Sequence, residues 1–486
     1  MELTFAQKEN IGLRYILDAM RPSSPYGAEA LRELTPMGPG EKAEILRQLM
    51  NIRKILDAQA KGTKPDALQR LLMGLKMVRP TALKCLDTDL NEIELFELKR
   101  FLLQWQDIYQ MLTADPAWHL EGITPLDTEN ALDILDPERN RVASFYVPDT
   151  ASPILAGLRQ EKKALEAQIR QNSDPELLTR RSRVAGQEEL EVLRIQSEMS
   201  QALRPFIGAI LSNMAAIADL DLTLEKARLA KRYGGTQPEI TDTSLDMTDM
   251  VNPRIADLLD QQGKPFTPIS IQLERGATVI TGANMGGKSV ALKTIALNIY
   301  LVHCGFFPFA KEAKLPLFDG LHIISEDLES IDRGLSSFGG EMVRFNRTVQ
   351  CLHSGFHFLL LDEFARGTNP HEGAAIVRAV TKYLNGQNAI SILATHYDHV
   401  SEVASRHYQV AGLKDVNWDD FRCEMRGLSG EDGVQRIVNA MNYGLYRVED
   451  RHDCPRDALH ICRLLGIQAE IVDDAEKTVS SGPEFC

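Results

Sequence analysis

Residues Thr278–Ser289 read TVITGANMGGKS, and this stretch decides the fold of the second half of the chain. A β-rich apolar run breaks into glycines and stops on Lys-Ser. Gly282, Gly287, Lys288 and Ser289 satisfy G-x-x-x-x-G-K-[ST], with a strand-like run before them and the helical pattern SVALKTIALNIYL after. A phosphate-binding loop needs that context. Glycines let backbone N–H groups approach the phosphates, and the helix N-terminus adds partial positive charge. Lys288 is expected to reach the β- and γ-phosphates of a nucleotide, and the Ser289 hydroxyl to hold Mg²⁺.

Two further motifs lie downstream. FHFLLLDEF (356–364) is an apolar strand ending on Asp362 and Glu363. An acid at the end of a buried strand beside a phosphate loop can hold Mg²⁺ through its water shell, and its neighbour can polarise the attacking water. Without the phosphate loop, two acids at a strand end would read as a surface turn. SILATH (391–396) again ends an apolar strand on a polar pair, Thr395 and His396. His396 could hydrogen-bond the γ-phosphate or the water; a lone histidine is more often structural, and its spacing from the other motifs carries the functional reading.

Working outward, the 486-residue chain has room for two or three domains. Its 44% hydrophobic and 25% charged residues are ordinary for a soluble globular protein. No uninterrupted run of 18 or more apolar residues appears, so no membrane segment is expected. The N-terminus MELTFAQKENIGLRY lacks the basic start and apolar core of a secretory signal. Seven scattered cysteines do not make a disulfide framework, and the reading is a reduced, cytoplasmic protein. The net charge of −14 lowers the expectation of a nucleic-acid binder, although a local basic face is compatible with it.

The fold class expected is α + α/β. Residues 1–245 show apolar spacings of three and four, as in KAEILRQLMNIRKIL and LNEIELFELKRFLLQW, and read as a helical domain. Within it an antiparallel arm over about 158–204 is expected. Leu158, Leu165 and Ile169 mark its first helix, and Val192, Ile195, Met199 and Leu203 the second. NSDPE forms the turn, and Arg180, Arg181 and Arg183 lie near the tip. Pro205 is expected to kink the second helix. After the polar linker GTQPEITDTS, short β-rich runs alternate with helices through 246–486, as in an α/β domain with a covered sheet.

GANMGGKSV, SSFGGEM, LLLDEFARGTNPHEG and ATHY occur in an order and spacing that resemble the MutS ATPase family. The Asn-Met-Gly-Gly form of the loop is much more specific than the generic motif. The resemblance covers Phe266–Val400 strongly. It extends more weakly to IGLRYILDAMRPSSPYGAEALREL, like the start of the family's core-lever domain, and to IADLDLTLEKARLA, like the helix entering the ATPase. It implies that Phe266 stacks on adenine and that Asn284 and Gly286 complete the phosphate loop. Ser336 and Ser337 would reach into a partner subunit's site, so that ATP and Mg²⁺ are held at composite sites in a dimer, a homodimer as the simplest case. Arg366, Thr368, Asn369 and Pro370 would lie at the dimer interface, and a helical segment over about 435–486 would reinforce it.

The resemblance also departs from mismatch-reading members. The first residues resemble the core-lever segment, so neither the Phe-x-Glu wedge domain nor a connector domain is expected, and the arm is short for a DNA clamp. MVNPRI stands where much of the family has Arg-His-Pro, and SEDLESIDRGLSSFGGEM is longer than the usual loop. Within the family, FTPISIQLERGATVITGANMGGKSV, ISEDLESIDRGLSSFGGE and RHYQVAGLK look most like the ATPase subunit of the lysine 5,6-aminomutase reactivase. That branch implies a small partner subunit and an adenosylcobalamin-dependent aminomutase as client, with a nucleotide-driven change of shape releasing damaged cofactor. The alternative is a DNA-binding ATPase of mismatch-repair type, with Arg180, Arg181 and Arg183 as phosphate contacts. Otherwise those arginines form a solvated face.

RHDCPRDALHICRLLG holds His452, Cys454, His460 and Cys462, all zinc-ligand types. Pro455 reads as a helix start after an Asp453/Cys454 cap, which turns His460 and Cys462 to different sides. A structural role is the expectation there.

Overall fold

The computed structural model describes residues 3–144, 146–172, 174–282, 287–325, 337–413, 416, 421, 436, 440–449 and 457–480; at 337, 457, 458, 460, 464, 479 and 480 it describes the backbone only. The chain divides into two compact units. One comprises Arg21–Leu34 and Asn51–Ala227; the other comprises Met1–Met20, Thr35–Met50 and Arg228–Cys486.

The first unit is helical. Its central helix, Glu92–Ala114, starts with a capping box on Asn91 and Glu94 and buries Leu95, Leu98, Phe101, Leu102, Trp105, Ile108 and Leu112. Those spacings of three and four put one apolar stripe against the core. Polar groups inside it are paired. Trp105 Nε1 donates to the Leu126 carbonyl at 3.0 Å, while Asn213 brackets the same residue through both its amide groups. Asp221 accepts from the Ser23 and Ser24 amides and from the Ser24 hydroxyl.

The arm is an antiparallel pair of helices, Pro153–Gln171 and Pro175–Leu203, capped by Ser152 and Asp174 with proline in each first turn. Cross-links between the two run in antiparallel register: Arg159 with Glu188, Glu161 with Arg180, and Glu166 with Arg181. Leu155, Leu165, Val184 and Ile195 form the buried seam. At Pro205 the helix tightens to one 3₁₀ turn, Arg204–Phe206, and resumes as Ile207–Tyr233. The helical stretch Pro175–Tyr233 contains a window long and apolar enough to cross a membrane, yet 67% of that window is buried inside the protein. A core helix of a globular protein passes the same test.

The second unit carries the sheets. Its strands are β1 (Glu239–Thr241), β2 (Leu245–Met250), β3 (Ile269–Leu273), β4 (Gly276–Thr281), β5 (Glu312–Pro316), β6 (Gly320–Ile324), β7 (His357–Asp362), β8 (Ala389–Ala394), β9 (Arg406–Gly412) and β10 (Asn442–Arg447). One sheet has the order β1-β5-β2-β3 and is mostly antiparallel. The other has the order β10-β9-β4-β8-β7-β6 and is parallel except at β10. Every residue of β4 and β8 is buried, as expected of strands covered on both faces.

The covering layers follow from composition. Helix Gly287–His303 is buried on nearly every side and packs against strands of both sheets. Its all-round apolar sequence is what a helix between two layers requires. Among its buried polar side chains, Asn298 bonds the Thr294 and Val251 carbonyls and the Phe309 amide. Helix Pro370–Asn385 packs on β4 and β8 and adds Val377 and Leu384 to the core there. Helix Ser337–Cys351 adds Phe338, Met342 and Phe345 to the same core.

Two features differ from the sequence reading. Met1–Met20 and Thr35–Met50 group with the sheets, whereas a single boundary near residue 245 assigned them to the helical part. Long-range polar contacts explain it: Asn252 Nδ2 donates to the Ile11 carbonyl at 3.1 Å, and Tyr15 to Asp257 at 2.6 Å. His303 Nε2 accepts the Phe318 amide, so Nδ1 donates to the Met37 carbonyl at 2.8 Å. Helical periodicity identifies an apolar face but not what covers it. Second, the segment 435–486 is not wholly helical. Strand β10 precedes helices Asp457–Leu464 and Ala469–Ser480 and extends the sheet by antiparallel pairing with β9.

Candidate functional site: a phosphate loop facing two acids

Three parallel strands end side by side. Ile280 of β4 and Asp362 of β7 both stand opposite Ala394 of β8. The residues just past these ends, Gly282, Glu363, Thr395 and His396, therefore share the carboxyl edge of the sheet. Ligands of open α/β sheets bind at that edge. The backbone closes it further: the Glu363 amide donates to the Ala394 carbonyl at 3.0 Å, and the Thr395 amide to the Ile280 carbonyl at 3.1 Å.

Gly282 and Gly287, on either side of the loop, both lie close to Val410 on β9. Gly282 has φ +142°, and a Cβ there would stand 3.0 Å from Val410 Cβ. At Gly287 a Cβ would meet Val410 Cγ1 at 2.7 Å and Tyr443 Cδ1 at 3.1 Å. A side chain at either position would collide with β9. Asn284 and Gly286 lie outside the described residues.

Lys288 is buried and its ammonium donates to the Gly282 carbonyl at 2.6 Å. Burial pushes its pKa down, and the nearby Glu363 and Asp362 carboxylates oppose that shift. Asp362 shows the converse: burial raises its pKa, while a hydrogen bond from the Ser289 hydroxyl lowers it. Its Oδ1 is buried with no hydrogen-bond partner. A serine hydroxyl bonded to a carboxylate with an orphaned buried oxygen is a hard oxygen donor set, and it fits Mg²⁺. Ser289 and Asp362 are the residues that would hold the ion, and it would supply charge neutralisation to bound phosphates.

Glu363 is half-buried and holds Arg366 at 2.7 Å. Its φ is +50°, and that of Ala365 is +63°. Each left-handed L-residue costs roughly 1–2 kcal/mol, so the turn has to be held by its surroundings. Three contacts do so: the Ala365 amide donates to buried Glu341 at 3.1 Å, Tyr397 donates to the Ala365 carbonyl at 3.0 Å, and the Phe364 ring packs on Phe345. Sequence reading missed Glu341, Tyr397 and Val410. Glu341 sits within the quoted SSFGGEM, but no local signal distinguishes a buried acid from a solvent-facing one on a helix.

His396 lies exposed at the rim, next to buried Tyr397. Desolvation of its ring lowers its pKa, and Glu363 pulls it up. Phe266 is half-buried just before β3. Its neighbour Thr267 is bordered by β10, since a Cβ on Gly444 would lie 3.8 Å from Thr267 Cγ2. Ser336 lies outside the described residues, and Ser337 opens the helix Ser337–Cys351. Asn369 caps the helix Pro370–Asn385 by accepting from the His371 amide. Thr368 donates to Glu372 at 3.4 Å.

Away from this edge, Arg180 and Arg181 are paired with Glu161 and Glu166 inside the arm, while Arg183 is exposed. Of the zinc-type residues, His452 and Cys454 lie outside the described residues, as does the expected helix start at Pro455. Among the described residues no group of three metal-ligating side chains occurs.

Residues 278–481 match the family model described as MutS domain V. The chain is 34% identical over 239 residues to a protein named Endonuclease MutS2 from Thermomicrobium roseum, covering 47% of this chain and 30% of that protein. It is 30% identical over 290 residues to the DNA mismatch repair protein MutS of Solibacter usitatus, covering 57% of this chain and 32% of that protein. A further Endonuclease MutS2, from Symbiobacterium thermophilum, is 28% identical over 304 residues, covering 62% of this chain and 35% of that protein. The matched stretches thus span about a third of these relatives. The chain is thus similar to MutS and MutS2 proteins over about half of its length.

Proposed function

We propose that this chain binds ATP with Mg²⁺ and hydrolyses it to ADP and phosphate, as the nucleotide-driven switch of a dimeric, DNA-directed protein. The observation that carries the ATPase reading is the meeting of Lys288, Ser289, Asp362 and Glu363 at one sheet edge, with the Ser289–Asp362 bond and the orphaned Asp362 oxygen at its centre. Lys288 brings a buried cation to the β- and γ-phosphates, and the backbone of the loop and helix Gly287–His303 cradles the rest of the chain of phosphates. Asn284, Gly286 and Gly287 belong to that cradle, and Phe266 is the adenine platform. Glu363 takes the proton-accepting, water-orienting role, and His396 at the rim contacts the γ-phosphate or the water. Ser336 and Ser337 complete the site of a second copy.

The family match and the names of the relatives support DNA as the molecule acted on. The aminomutase client and its small partner subunit, expected from the subfamily resemblance, draw no support from those relatives. The arm bears on how DNA is met. Arg180 and Arg181 are neutralised by Glu161 and Glu166, so a phosphate contact there has to exchange one carboxylate partner for another anion.

The test is ATPase stimulation by duplex or branched DNA, set against stimulation by an inactivated cobalamin-dependent aminomutase. DNA stimulation with salt-sensitive binding that falls in an Arg180→Ala/Arg181→Ala/Arg183→Ala variant is expected. Stimulation by the mutase alone would reverse the assignment of the client without touching the ATPase.

A further inference from the structure

The turn that presents Glu363 is held from outside its own strand, and the hold has one charged member. Glu341 lies in the second turn of helix Ser337–Cys351, is only 3% exposed, and accepts the Ala365 amide at 3.1 Å. Four residues on, one helical turn along the same face, Phe345 packs its ring at a tilt against that of Phe364, centroids 5.2 Å apart. The carbonyl of the same Ala365 accepts from Tyr397, the neighbour of His396. One residue, Ala365, is thus held at its N–H by one helix and at its C=O by the segment after β8, and Glu363 lies two residues before it in a left-handed conformation.

We infer that Glu341 is a positioning residue for Glu363: it fixes the strained turn so that the Glu363 carboxylate points at the reacting edge, and it makes that aim depend on the placement of helix Ser337–Cys351. The inference rests on the ATPase reading above. Glu341 touches neither phosphate nor water in this account and acts only through the turn. A burial of this completeness is costly for a carboxylate unless it accepts strong hydrogen bonds, and a main-chain N–H in a constrained turn is a donor of that kind. The same helix begins at Ser337, directly after the segment expected to enter a partner subunit's site. A shift of that helix would therefore reach Glu363 through the Glu341–Ala365 hydrogen bond and the Phe345–Phe364 ring contact. A misplacement of about 1 Å at a catalytic group is enough to cost about a hundredfold in rate.

The experiment compares wild type, Glu341→Ala and the near-isosteric Glu341→Gln in the full chain. Three quantities are read: ATP affinity, kcat, and amide exchange over residues 363–366 without nucleotide. Glu341→Ala is expected to lower kcat about tenfold or more with ATP affinity within about twofold, and to speed exchange in that turn. Glu341→Gln keeps an oxygen that can accept the Ala365 amide and is expected to recover most of both. Unchanged exchange in Glu341→Ala overturns the hold itself, whatever the activity. Faster exchange with unchanged kcat overturns the positioning role. Equal loss of affinity and kcat in both variants also overturns it, since that is the mark of a merely structural acid. A wild-type protein that does not hydrolyse ATP overturns the ATPase reading and with it the role, but is distinguished by its intact exchange signature.

Discussion

Gly373 gives the sharpest test of how the turn after β7 is built. It lies buried in the first turn of helix Pro370–Asn385, where glycine is a poor helix former. An added Cβ would stand 2.4 Å from Tyr397 Oη, 2.8 Å from Tyr397 Cζ and 3.0 Å from the Ala365 carbonyl oxygen. Gly373→Ala therefore gains about 0.8–1 kcal/mol of helix propensity. Against that stand the lost Tyr397–Ala365 hydrogen bond, about 1 kcal/mol, and overpacking of about 1–3 kcal/mol. The net expectation is destabilisation of this helix by about 1–3 kcal/mol. In a Tyr397→Ala background the clashing ring is gone, and the same substitution becomes neutral or stabilising by up to about 1 kcal/mol. The difference amounts to a coupling of about 1–4 kcal/mol between the two positions. Hydrogen exchange in peptides from Pro370–Asn385 reads it locally, which suits a chain of two units. Equal destabilisation in both backgrounds would refute the claim that Tyr397 needs the space glycine leaves.

Other outcomes follow from single contacts. Lys288→Met should abolish ATP binding yet leave the thermal transition level or slightly higher, because removing a buried charge offsets the lost bond to Gly282; titration calorimetry and a melting curve check both halves. Burial holds His303 neutral and lowers its pKa from 6.5 to about 4. The unfolded chain therefore binds a proton below pH 6.5 that the folded chain refuses until about pH 4, so this stability is full above 6.5 and is lost as pH falls through that window. About 3 kcal/mol is at stake for the 6.5-to-4 shift, and the pH dependence of unfolding should be shallower in His303→Gln; an unchanged slope counts against it. In the arm, Glu161→Gln/Glu166→Gln frees Arg180 and Arg181 and should raise DNA affinity at low salt, with a steeper salt dependence. A lack of change in a binding titration would remove those arginines from the DNA surface.

The site was more legible in the sequence than the fold around it. TVITGANMGGKS and FHFLLLDEF carry their chemistry in local order, and strand–loop–helix is a short-range arrangement. ISIQL reads as a strand too, but it alternates buried and exposed and belongs to the other sheet. Strand pairing is decided by partners far along the chain, and nothing in ISIQL names them. NYGLYR hides as β10 because Asn and Gly are poor strand formers, and its pairing with β9 outweighs that preference. The N-terminal twenty residues look like any amphipathic helix pair, and only contacts such as Asn252 to Ile11 assign them to the sheet-bearing unit. Glu341 escaped for the same reason: its partner is 24 residues away across a turn.

The most direct test of the central claim is phosphate release by wild type and by Glu363→Ala, with ATP affinity measured on the same preparations. Wild type should turn over, and the variant should bind ATP within about twofold of wild type while kcat falls about a hundredfold or more. An unchanged kcat in Glu363→Ala would contradict the role assigned to the acid at the end of β7.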